Sequence, residues 1–443
     1  MKLFRMEGSL ADAGSLRCLD ENFPAIPTAS GLSSTIVFQN NDKVMNIDRE
    51  QISEVVREVL NEEQFSRGLA KKVVIPEKCK AAVLVDKRRM EIREFPVREI
   101  GDDELLLKVE ACGICGTDVH CFQKDPFGLI PNVLGHEGTG IVVAKGKHVT
   151  LDSVNKPVEI GDHIVTSVME TSEECVIAKY NPLDSNLCDD FSVYGLLPDE
   201  PNNHLNGYFG EYMIIRPGSN FYVVNGMNLN LRLLIEPAAV VTHALERAKL
   251  TGLINFRSRV VVQGCGPIGL LMVAIVRTYG VNNIIAIDGN PSRLEMAKKL
   301  GADYSLNYKD YNSAEELKRE VFGLSKGLGA HFGIQTTGVP AAVSNIFKYI
   351  RRGGGVCEIG SFVDSGDCSI NPHEDFCKKE ITLLGSWAYY AWDYPNAYHF
   401  LQRAQCIGLP LEELITHRFP LDDIQKAFET NIAQKGIKIV VEL

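Results

Sequence analysis

Long apolar runs are missing from this 443-residue chain. The longest, such as 270–276, fall far short of the roughly 18 residues that a membrane-spanning helix needs, so no membrane is expected as a partner. An excess of basic charge is missing too. Lys and Arg number 46 against 57 Asp and Glu, for a net charge of −11, and no basic cluster occurs, which excludes nucleic acid and anionic lipid surfaces as expected partners. Twelve cysteines are too sparse for a disulfide scaffold, and in a reducing compartment the clustered ones point to metal before disulfide. The opening MKLFRMEGSLADAG has no apolar core of a secretory signal, and a cytoplasmic location is expected. Internal repeats and low-complexity segments are absent as well. What the chain does have is 45% hydrophobic residues, enough to bury a large core, in a length that suggests two or three domains.

Residues 1–45 show little periodicity and read as mostly irregular. A helix is predicted over about 48–62: Asp48 can cap it, Gln51 stands three residues on, and Ile52, Val55, Val56, Val59 and Leu60 form one apolar face. This face either packs within the protein or acts as a detachable docking peptide. It resembles the short helical tags that direct enzymes into bacterial microcompartments. From about Lys80 the texture becomes β-rich, with runs such as AAVLVD, ELLLKVEACG, GTGIVVAKG and DHIVTSV broken by Gly, Pro and Asp. After Glu236–Pro237 strands and helices alternate. Strands are predicted at Val260–Gln263, Ile284–Asp288 and 302–306, and helices at Pro267–Tyr279 and 293–300. That pattern implies an α/β region with a parallel sheet covered on both faces. From about 376 mixed structure returns.

The segment RVVVQGCGPIGLL sets Gly264, Gly266 and Gly269 in GxGxxG spacing. The three glycines serve a tight turn, close approach of backbone to pyrophosphate, and helix-on-strand packing. A helix opening at Pro267 and Ile268 aims its amide hydrogens and positive end at the phosphates. The motif follows a strand, opens a helix, and is answered by Asp288 at the end of the next strand roughly 20 residues on, which makes it a strong signal. Asp288 can accept from both ribose hydroxyls and repels a 2′-phosphate, so NAD is favoured over NADP. Arg293 stands close enough in sequence to meet the adenine side.

Upstream lie ACGICGTDVH and GHEGTG, which supply Cys115, His136 and Glu137. A thiolate, an imidazole and a carboxylate suit zinc better than magnesium or calcium, and three ligands with an open position suit catalysis. Glu236 is a lone carboxylate in the apolar stretch LLIEPAAVV, a place that calls for a cation or bound water. Cys112 and Cys115 read as CxxC could form half a structural zinc site or a redox pair, but no second CxxC exists in the chain.

These clusters, their order and the downstream glycine fingerprint resemble the zinc-dependent medium-chain dehydrogenase/reductase family over about residues 79–443. GDHIV at 161–165, FGEYM at 209–213 and the Glu236–Pro237 dipeptide make the chain most similar to the polyol, butanediol and threonine dehydrogenase branch. The resemblance implies a GroES-like β-rich catalytic domain at 79–235 and 376–443, a Rossmann doubly wound NAD-binding domain at 236–375, and an extension over 1–78. It implies that Cys115 and His136 hold a single catalytic Zn2+, with Glu137 and Glu236 sharing the third position. Thr117 would take the alcohol proton, His120 would pass it to solvent, and Asp118 would orient the site. The implied reaction interconverts a secondary alcohol or polyol and its ketone, in a homodimer or homotetramer. The alternatives are an aldehyde or ketone reductase working in the other direction, as cargo of a microcompartment, and a zinc-free reductase. The last is disfavoured because every expected ligand is present. One departure stands out: where many family members carry four cysteines of a structural zinc lobe, only Cys175 and Cys188 remain, so no structural zinc is expected. The aromatics Trp387, Tyr389, Tyr390, Trp392 and Tyr394 read mostly as core or interface.

Overall fold

Apolar side chains of the β-rich runs alternate or cluster as strands require, and each run forms one. In the computed structural model these are Lys78–Asp86, Leu105–Gly113, Glu137–Lys145 and His163–Thr166. The structure describes residues 36–40, 43–47, 74–170, 175–189, 192–197, 199 and 204–443. The chain divides into two units, Met1–Val74 and Ile75–Leu443. In the first, Ile36–Asn40 and Lys43–Ile47 pair antiparallel, Ile36 opposite Ile47. This corrects the irregular reading of 1–45, because the β-branched content of both runs prevails over their Ser- and Asn-rich surroundings. The helix expected over 48–62 lies outside the described residues.

In the second unit, a seven-stranded sheet is built around Leu105–Gly113. One side of that strand pairs with Glu137–Lys145. The other is shared between Tyr212–Ile215, along its first half, and Lys438–Glu442, along its second. The final strand of the chain is thereby laid beside the segment that leads into Cys115.

A second sheet is wholly parallel, ordered Tyr304–Asn307, Ile284–Asp288, Val260–Gln263, Ala330–Gln335, Ile350–Glu358, Thr382–Gly385. Its central strand Val260–Gln263 is buried throughout, as the continuous apolar run VVVQ requires. The order reverses beside Val260–Gln263, and such a switch point opens a crevice at the carboxyl ends of the strands. Thr382–Gly385 lies beyond residue 375, where the sequence pattern ends the parallel region. This short strand has mostly exposed side chains and so carries no hydrophobic signature. The helix Ile235–Lys249 packs on both Pro267–Tyr279 and Asp393–Cys406. Among the described residues, no helix is long and apolar enough to cross a membrane.

Candidate active site

Cys115 is the extended residue that caps the helix Gly116–Lys124, and Asp118 Oδ2 accepts its backbone N–H at 2.8 Å. The thiol therefore sits at the positive end of a helix dipole. Asp118 is fully buried. Its other oxygen accepts the N–H of Gly135 at 3.3 Å and lies 3.3 Å from His136 Nδ1, an electrostatic contact outside good hydrogen-bond alignment. One carboxylate thus orients both the thiol-bearing helix and the imidazole. Gly135 adopts φ +99°, and a Cβ there would press on Phe209.

His136 is buried and Cys115 half-buried beside it, close enough that their charges govern each other. Burial pushes the Cys115 thiol up, with Glu137 adding to it. For His136 burial works downward, but Asp118 and Cys115 prevail and hold its pKa well above the usual imidazole range. Glu236 opens the helix Ile235–Lys249, and desolvation, with Glu137 beside it, pushes its carboxyl up to about 7. Tyr389 Oη donates to Glu236 Oε1 at 2.5 Å. Lys438 Nζ pairs with Glu137 Oε2, and both side chains are buried. The helix carrying Glu236 and the segment carrying Tyr389 are joined by a second buried pair, His243 Nδ1 with Asp393 Oδ2 at 3.0 Å.

As these side chains stand, no three ligating groups converge at metal-ligand spacing among the described residues: His136 Nδ1 lies against Asp118, Glu137 holds Lys438 and Glu236 holds Tyr389. The donor set nevertheless fits a zinc ion. A thiol, an imidazole and two carboxylates border one cavity of about 220 Å³, and the raised pKa values of Cys115, His136 and Glu236 mean that these three hold protons more tightly than they would in water. A cation displaces such protons and satisfies the ligands.

Thr117 and His120, one turn apart on the same helix, line this cavity, and Thr117 Oγ1 lies 3.8 Å from Cys115 Sγ. Burial lowers the pKa of His120, with Lys124 contributing, and its Nδ1 is buried without a partner. Ile268 of the glycine-motif helix borders the same cavity. A second cavity, of about 730 Å³, is lined by Gly264, Asp288 and Arg293. Gly264 has φ +97°, Gly266 caps the helix at whose first position Pro267 stands, and a Cβ on Gly269 would strike the Gly264 carbonyl. Asp288 accepts the N–H groups of Cys265 at 2.6 Å and Asn290 at 2.7 Å, and Arg293 Nε is buried without a partner.

Sequence reasoning missed Lys438. Its only signal is a cation flanked by Ile437 and Ile439 in an otherwise apolar final strand. It also missed the specific contact of Tyr389 within the aromatic run, in which Tyr389 and Tyr394 are buried while Trp387 and Trp392 are exposed. Cys175 and Cys188 form a disulfide, their Cα atoms 6.2 Å apart. The sequence assigns these two no pairing, and the fold brings their Cα atoms within bridging range. Cys112 is buried and does not pair with Cys115.

Two family models match the chain: an alcohol dehydrogenase GroES-like domain over residues 101–224 and a zinc-binding dehydrogenase over residues 267–403. The sorbitol dehydrogenase of Bacillus subtilis (strain 168) is 30% identical over 373 residues, which cover 83% of this chain and 98% of that one. An L-threonine 3-dehydrogenase of Alteromonas mediterranea is 27% identical over 357 residues, covering 79% of this chain and 95% of that one. Among solved structures, an alcohol dehydrogenase of Thermotoga maritima superposes with a TM-score of 0.76 at 29% identity, covering 82% of this chain and 99% of that one.

Proposed function

The chain belongs to the zinc-dependent medium-chain dehydrogenase/reductase family, and on that premise we propose that it interconverts a secondary alcohol or polyol and its ketone with NAD, through the cavity that Cys115, Thr117 and His136 border. The observation that carries this reading is the shared wall of that cavity. Ligating side chains of the β-rich part face Ile268, which belongs to the dinucleotide helix, so a carbinol carbon and a nicotinamide ring can meet there.

In this proposal Cys115 and His136 hold the zinc, and Glu137 or Glu236 supplies the third ligand. When bound, the ion acts as a Lewis acid on the substrate oxygen. Asp118 keeps the helix end and the imidazole in place. Thr117 accepts the hydroxyl proton of the alcohol and His120, neutral near pH 7, passes it to solvent. Bound NAD would supply the hydride acceptor, and Ile268, on the wall shared with Thr117 and His136, would help set the carbinol carbon against it. Gly264, Gly266, Pro267 and Gly269 shape the pyrophosphate turn. Asp288 would accept from the ribose hydroxyls, and Arg293, lining the same cavity, would border the adenosine. The division into a catalytic part and a dinucleotide part, with the latter extended to Thr382–Gly385, belongs to the same proposal, as does a homodimeric or homotetrameric state. The cellular direction follows the ratios of alcohol to ketone and NAD to NADH. The microcompartment-cargo reading rests on 48–62, and deletion of residues 1–70 tests it: loss of localisation alone supports a tag.

The deciding experiment is removal of metal. Chelation that strips zinc is expected to abolish NADH formation while NAD still binds, with activity restored by added zinc. A metal-free protein with an unchanged rate overturns the proposal.

A further inference from the structure

The walls of the cavity beside Thr117 say what kind of alcohol fits. Val168, Met169, Val193, Leu196, Val240 and Phe362 all face it. Among the described residues that line it there is no lysine and no arginine. Lys438, the nearest buried ammonium, is turned away onto Glu137 and the carbonyl of Ile114. On its floor Glu137 already engages the ammonium of Lys438 and Glu236 accepts from Tyr389, so neither brings a free cation or donor to a substrate, and burial holds His120 toward its neutral form. Away from the zinc position, an anionic substrate group, phosphate or carboxylate, would thus enter a low-dielectric site in which no described lining residue supplies a lysine or arginine to pair it, which is unfavourable.

Additional hydroxyls fare little better. Tyr389 donates to Glu236, Thr336 to the carbonyls of Gln263 and Gly264, and Ser365 to the carbonyl of Val363. Three of the hydroxyls lining the cavity therefore already have acceptors within the protein. These hydroxyls can still accept but no longer donate, so a substrate with a hydroxyl on every carbon would be matched only in part, and its hydroxyls set against Val168, Leu196, Val240 and Phe362 would be left unpaired, which weakens binding.

We propose that this enzyme's substrate is a neutral secondary alcohol whose single reacting hydroxyl meets Thr117 while its hydrocarbon arms pack on Val168, Leu196 and Phe362, rather than a polyol, an amino acid or a sugar phosphate. This rests on the dehydrogenase reading above and narrows it. Apolar pockets reject an added hydroxyl by about 10²-fold, so discrimination of that order or larger against a polyol is expected.

The test uses the zinc-loaded full chain with NAD. Values of kcat/KM are measured for 2-heptanol and cyclohexanol and compared with those for sorbitol, L-threonine and sorbitol 6-phosphate. In parallel, heptanamide (a neutral, unreactive analogue of the ketone) and sorbitol are titrated into the enzyme–NADH complex by calorimetry. The expected result is kcat/KM at least about 10²-fold higher for the two hydrocarbon alcohols, with heptanamide binding more tightly than sorbitol by a similar factor. Equal or better turnover of sorbitol, threonine or the phosphate overturns this inference and leaves the dehydrogenase intact. If no alcohol is turned over but heptanamide still binds about 10²-fold more tightly than sorbitol, the dehydrogenase reading falls and the pocket chemistry stands. If there is no turnover and no such preference in binding, both fall.

Discussion

Lys438 places its ammonium against the carboxylate of Glu137, each side chain only 2% exposed. The contact ties the last strand of the chain to the strand that begins beside His136. Burial alone would lower the lysine pKa, but Glu137, with Cys115 and Glu236 beyond it, raises it above the ordinary value. Removing one partner of a buried pair leaves the other charge uncompensated, so Lys438→Met should cost about 3–5 kcal/mol in denaturant unfolding. Lys438→Arg, which keeps the charge, should lose clearly less. A Lys438→Met protein as stable as the parent would show that the pair is not formed.

Cys115→Ala and His136→Ala should each lose zinc and lower kcat by about 10³-fold or more, since the missing Lewis acid is worth several kcal/mol and each 1.36 kcal/mol is tenfold. NADH binding, read by its fluorescence, should remain, because neither side chain lines the cavity that holds Asp288. Retention of zinc and rate in either variant would remove that residue from the site.

Asp288→Gly should relax the choice of cofactor. The ratio of kcat/KM for NAD to that for NADP is expected to fall by about tenfold or more once the negative charge is gone. Because Asp288 also accepts from Cys265 and Asn290, some loss of thermal stability should accompany the change. An unaltered ratio would place Asp288 away from the ribose.

The lowered pKa of His120 has a sign that can be checked. Between its folded value and the ordinary 6.5, the folded protein binds fewer protons than the unfolded one, so this group's contribution to stability diminishes as pH falls below 6.5. Alcohol oxidation should weaken over the same window as the imidazole becomes protonated and can no longer accept. His120→Gln should lower kcat about tenfold or more at pH 7 and flatten that acidic limb. A parent-like profile in His120→Gln would assign the limb to another group.

Gly269→Ala probes the dinucleotide turn by sterics alone. The added methyl would strike the Gly264 carbonyl, so the helix must move off the strand. NAD affinity and melting temperature should fall together. Parent-like values for both would mean that the close approach is not required.

Much of this protein was legible from residue order, and the reasons are local. Gly264, Gly266 and Gly269 with Asp288 announce a strand–turn–helix because each glycine answers a short-range steric demand. The cluster 111–120 and the triplet at 135–137 announce ligating chemistry because few other settings combine those side chains. The hairpin at 36–47 and the short strand Thr382–Gly385 lacked a clear periodic signal and were missed. By itself the sequence determined the family, the glycine turn and the list of candidate ligating side chains, since those depend on residue type and spacing along the chain. Only the tertiary structure decided that Lys438 compensates Glu137, that Tyr389 holds Glu236, that Cys175 meets Cys188, and that the described cavity wall beside Thr117 is largely hydrocarbon and carries no lysine or arginine. Each of these relationships joins residues distant in sequence or gathers them onto one surface, and such proximity is created by packing, which no local pattern encodes.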